Sequence, residues 1–206
     1  KYLLSFSGAF LFATLLTHML PEIFEHGNWN MGWWVMLGFA IQLLLDHLSE
    51  GLEHGHLHTK QAKIPWLAIS GLLLHAFLEG MPLSTTDISG HNHATGGFLW
   101  AIALHKLPIA LLVTGALRKV GVSRSTLIGI LALFAFATPA GALIVNTINV
   151  QQWSLQLLAI AVGILLHVST TILFESSQNH RFNAVKLIFV LAGMLLAGWI
   201  NSSMTL

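Results

Sequence analysis

Long apolar runs separated by short polar connections extend along the whole chain. Seven of them approach or reach the roughly 20 apolar residues that a helix needs to cross a hydrocarbon core: Tyr2–Leu20, Met31–Leu48, Ile64–Leu83, Phe98–Leu117, Ser125–Val145, Ser154–Phe174 and Ala184–Ile200. Connections such as Glu25–Asn30 and Asn146–Gln152 are polar and short. The runs are continuous instead of strictly alternating, which argues for helices over a barrel, the only other way to satisfy every backbone group in lipid. The pattern predicts an all-α, polytopic transmembrane helix bundle with seven spans visible, as one integral membrane domain over residues 1–206. The first run ends in His18-Met19-Leu20-Pro21-Glu22 without a small-residue cleavage site, so it reads as a membrane helix and not as a signal peptide.

Composition strengthens this reading. Of 206 residues, 55% are hydrophobic and 8% charged, against a charged fraction of about 25% in soluble domains. A net charge of +1 gives no electrostatic basis for binding nucleic acid. The absence of cysteine excludes disulfides, thiolate metal sites and cysteine nucleophiles. Twelve histidines outnumber either class of charge.

The basic residues segregate. Lys1, Lys60, Lys63, Arg118, Lys119, Arg124, Arg181 and Lys186 all fall at connections on one face of a seven-span bundle. By the positive-inside rule that face is cytoplasmic, so the visible N-terminus is expected inside and the C-terminus outside. Lys106 is the exception. It lies mid-helix, where a charge costs at least about 2.5–3.5 kcal/mol, so it is expected to face the bundle interior with a partner.

Polar groups inside such helices are functional candidates. His75 and Glu79 are four residues apart, hence on one helix face, and can chelate a cation together. Neutral imidazole with carboxylate suits zinc or a similar divalent ion, and His105 on the next span offers a third ligand. A single intramembrane histidine serves equally well as an interhelical hydrogen-bond partner; the pair plus a second histidine favours metal. Pro108 and Pro139 lie inside their helices and free the carbonyls of Leu104 and Ala135, a device that lines ion paths in transporters.

These motifs resemble the ZIP (Zrt/Irt-like) family of divalent metal transporters over nearly the whole chain. Ser5-Phe6-Ser7-Gly8-Ala9-Phe10-Leu11 through His18-Met19-Leu20-Pro21-Glu22 resembles the family's second helix. His75-x-x-x-Glu79-Gly80 resembles its fourth, His105-Lys106-x-Pro108 its fifth and Thr138-Pro139-x-Gly141 its sixth. The resemblance implies eight helices, the first of them absent from this sequence. It also implies outer termini, with a His-rich cytoplasmic loop that falls here at residues 49–63. It further implies that His75, Glu79 and His105 bind the transported metal. Where binuclear members carry further ligands, this chain has Ala76, Lys106 and Ile109, which implies a mononuclear site with Lys106 standing where a second ion would lie.

Other polar residues are candidates for pathway or loop contacts with metal. His54, His56 and His58, with Glu50 and Glu53, form the cytoplasmic cluster; His91, His93 and Asp87 lie on the external side. His18 and Glu22 are one turn apart at the outer end of their helix, and Gln42 and Asp46, also one turn apart, are read as bundle support. His167 is expected to make a supporting hydrogen bond. The expected function is zinc uptake toward the cytoplasm, with no enzymatic activity and zinc, or another first-row divalent cation, as cargo. The expected partners are the metal ion and the bilayer of the cell membrane, with room for a homodimer. Two rivals remain open: a seven-helix, membrane-embedded zinc-dependent hydrolase, and a metal sensor that does not transport.

Overall fold

A computed structural model describes residues 2–49, 64–84, 93–148, 150–175 and 184–204. These residues form seven helices: α1 (Tyr2–His26), α2 (Met31–Ser49), α3 (Trp66–Gly80), α4 (His93–Lys119), α5 (Arg124–Thr147), α6 (Ser154–Glu175) and α7 (Ala184–Met204). Among the described residues there is no strand. Five of the helices are long and apolar enough to cross a membrane, and Ala184–Ile200 is a shorter apolar helix. The loop candidates Glu50, Glu53, His54, His56, His58, Asp87 and His91 lie outside the described residues, as do Lys1, Lys60, Lys63 and Arg181.

Several boundaries move from those expected. The first apolar run ends at Leu20 with Glu22 expected at the outer end of the helix, but the helix continues to His26 and absorbs Glu25 from the expected connection. The reason is a π-turn over Leu15–Met19, in which Leu20 N–H bonds the Leu15 carbonyl five residues back. A proline ring clashes with the carbonyl four residues earlier, and the wider turn carries the helix past that point. His18 therefore sits within the helix and not at its outer end. His93 is the first residue of α4 instead of part of a loop.

The core comprises two apolar clusters. The first gathers Phe10, Leu11, Leu15, Met19 and Ile23 of α1 with Leu158, Val162 and Leu165 of α6, and with Phe98, Ala101 and Ile102 of α4. The second gathers Ala68, Ile69, Leu72 and Ala76 of α3, Leu127, Ile130 and Phe134 of α5, and Ile109, Val113 and Leu117 of α4. α4 thus belongs to both clusters, and His105, Lys106 and Pro108 occupy the stretch between its two contributions.

Glycines set the closest helix contacts. A Cβ on Gly80 would strike the Thr138 carbonyl, and one on Gly141 would strike the Phe77 carbonyl, so α3 and α5 touch backbone to backbone. Gly38 and Gly163 make the same reciprocal contact between α2 and α6. Small residues of this kind are how helices pack when lipid removes the hydrophobic drive between them. The outward face is apolar, with Ile128, Leu133, Phe136 and Leu143 of α5 all exposed, as suits a hydrocarbon solvent. Trp29, Trp33, Trp66 and Trp153 stand exposed at or near helix ends, where amphipathic rings meet the membrane interface.

Candidate metal centre

The helical repeat brings His75 and Glu79 onto one face of α3, and both are at most 1% exposed. His75 Nε2 lies 3.4 Å from Glu79 Oε2. Two donors bound to one tetrahedral zinc at about 2.0–2.1 Å are themselves roughly 3.3 Å apart, so this spacing suits a shared divalent ion. His75 Nδ1 meets Gln42 Oε1 of α2 at 2.8 Å in a wholly buried contact.

α4 contributes the neighbouring groups. Lys106 Nζ pairs with Glu79 Oε1, and the same ammonium lies 4.3 Å from the centre of the Phe134 ring on α5. Both contacts compensate a cation that would otherwise be costly at this depth. The His105 ring is fully buried and meets the His75 ring edge to face, with centroids 6.4 Å apart. From α5, the Thr138 hydroxyl lies 2.8 Å from the Ala76 carbonyl and 3.2 Å from Glu79 Oε1. That reach exists because Gly80 and Gly141 let the two backbones touch.

Four helices therefore meet around one buried carboxylate: α3 supplies it, α4 its cation, α5 a hydroxyl and α2 a brace for the neighbouring imidazole. Among the described residues, no three His, Asp or Glu side chains stand close enough to hold a metal ion together. His75, Glu79 and His105 are gathered in one buried region, with the Lys106 ammonium, not a third ligand, against the carboxylate.

The other candidates lie elsewhere. His18 and Glu22 are half-buried on α1, and Glu22 gives its carbonyl to His26 Nδ1 at 3.1 Å. Asp46 is partly buried on α2. The His167 ring packs edge to face on Phe39 at 4.8 Å, between α6 and α2. Two contacts escape a reading of the sequence. Gln42 looks like general bundle support, one turn from Asp46, and Thr138 looks like the residue ahead of a kinking proline. The sequence marks Thr138 through its motif with Pro139 and Gly141 and Gln42 through its polarity within an apolar span, but neither signal names the group it meets.

Comparison with known proteins agrees with this architecture. The sequence model of the ZIP zinc transporter family matches residues 53–201. The chain is also 27% identical over 113 residues to zinc transporter ZIP9 of Micropogonias undulatus, an alignment covering 53% of this chain and 36% of that protein. The chain thus spans little more than a third of that relative's length. The family match takes in α3, α4, α5 and α6 entire and most of α7, with every residue gathered around Glu79 except Gln42, and the chain belongs to the ZIP zinc transporter family.

Proposed function

We propose that this chain carries zinc, or a closely similar divalent cation, across the membrane toward the cytoplasm through a mononuclear site formed by His75, Glu79 and His105. The observation that carries this reading is the buried His75–Glu79 pair, whose 3.4 Å donor spacing fits one tetrahedral ion. Family membership supports the same cargo. The orientation follows from the one-sided basic residues, with the His-rich loop and visible N-terminus cytoplasmic and the C-terminus outside.

Lys106 gives the site two states. Without metal, its ammonium neutralises Glu79, which removes the cost of an isolated buried carboxylate. An arriving ion takes the Glu79 oxygen, displaces the ammonium and draws in the His105 imidazole. The displaced cation repels the metal and favours its release. One ion is expected, because Ala76, Lys106 and Ile109 provide no group to bridge two ions about 3.5–4 Å apart.

Zinc flux into sealed vesicles containing the purified chain tests the proposal. A carrier moves zinc down its gradient without turning over any lipid or peptide. Hydrolysis of a lipid or peptide substrate without zinc flux would favour the hydrolase, and tight zinc binding with neither activity would favour the sensor.

A further inference from the structure

Gln42 is the amide of α2 that meets the His75 ring in this buried assembly. It is 0% exposed, and its Oε1 lies 2.8 Å from His75 Nδ1. A carboxamide oxygen only accepts hydrogen bonds, so His75 Nδ1 donates. In the neutral ring the lone pair is then on Nε2, the nitrogen that faces Glu79 Oε2 at 3.4 Å. The brace is itself held in place. One turn before Gln42, a Cβ on Gly38 would strike the Ile160 carbonyl, and one on Gly163 would strike the Val35 carbonyl. These contacts fix how far α2 can slide or roll on α6, and with it the position of the amide facing α3.

We infer that Gln42 is a positioning residue of the metal site, holding His75 in the Nδ1–H tautomer with its Nε2 lone pair presented to the cation. This rests on His75 being a metal ligand. Partners of this kind fix the orientation of metal-bound histidines, and their loss typically costs about 10–100-fold in metal affinity or activity.

The test uses the full chain in proteoliposomes, with zinc as probe, and three variants. Gln42→Leu removes the acceptor, Gln42→Asn draws it back by one methylene, and Gln42→Glu keeps an acceptor at the same reach. Gln42→Leu and Gln42→Asn should raise the KM for zinc by about 10–100-fold with a smaller change in maximal rate. Gln42→Glu should restore KM to within a few-fold of the parent. In metal-free protein labelled with 15N-histidine, the His75 signals should report Nδ1–H in the parent and Gln42→Glu, and a shift toward Nε2–H in Gln42→Leu. The inference is overturned if Gln42→Leu keeps the parental KM and tautomer and only lowers the yield of folded protein, as a merely structural bond would. Normal zinc binding by His75→Ala would instead overturn the metal-site reading; the 15N signals would still decide whether Gln42 sets the ring's proton.

Discussion

Lys106 pairs with the buried Glu79 carboxylate, and in the proposed site ammonium and metal would compete for the same oxygen. Lys106→Met keeps the apolar stem and removes the competitor. It should therefore still bind one ion per chain by calorimetry, with affinity tightened by about tenfold or more, equivalent to at least about 1.4 kcal/mol, and with slower turnover. Two ions per chain in the parent, or no binding in the variant, would contradict the one-ion site. Thr138 acts on the same carboxylate from the opposite helix. Thr138→Val keeps the shape but loses the hydroxyl, and should weaken zinc binding by a few-fold in the same titration. Part of this arrangement is legible in the sequence. The spacing of His75 and Glu79 places them on one face whatever the tertiary structure, and an intramembrane Lys106 demands an anionic partner on cost alone. The bond from Gln42 is not legible, since nothing local tells that its amide meets an imidazole on α3.

At the scale of helices, the contact between α3 and α5 is what brings Thr138 to Glu79. Gly141→Leu would drive a side chain into the Phe77 carbonyl and push the helices apart; overpacking of this kind costs about 1–3 kcal/mol. The variant should melt several degrees lower in detergent and lose zinc affinity together with stability. Gly129 lies on the same helix with open space around it, so Gly129→Leu should do neither. Equal effects from the two substitutions would mean that close approach at Gly141 is not what matters. All seven helices are legible as apolar runs, and five of them are long and apolar enough to cross a membrane. Their ends are less so. The first apolar run ends at Leu20, and the π-turn over Leu15–Met19 that carries α1 past Pro21 to His26 has no residue pattern of its own.

For the whole molecule, the two apolar clusters are joined by α4, and the polar stretch His105–Pro108 lies at the join. Hydropathy cannot reveal that division, because residues of either cluster are equally apolar and only their packing separates them. Orientation, in contrast, rests on charge. Single cysteines at Ser89 and Gln151 should react with an impermeant thiol reagent added outside, while one at Ser123 should not; the opposite labelling would reverse the direction of transport. The cytoplasmic cluster is expected to modulate flux without being part of the crossing itself. The central claim is that zinc crosses at His75, Glu79 and His105, and the most direct measurement is zinc uptake into proteoliposomes by three proteins at matched reconstitution. Relative to the parent, His75→Ala should nearly abolish uptake, whereas replacing His54, His56 and His58 together by Ser should change it only modestly. Normal uptake by His75→Ala, with uptake lost in the loop variant, would contradict the intramembrane site.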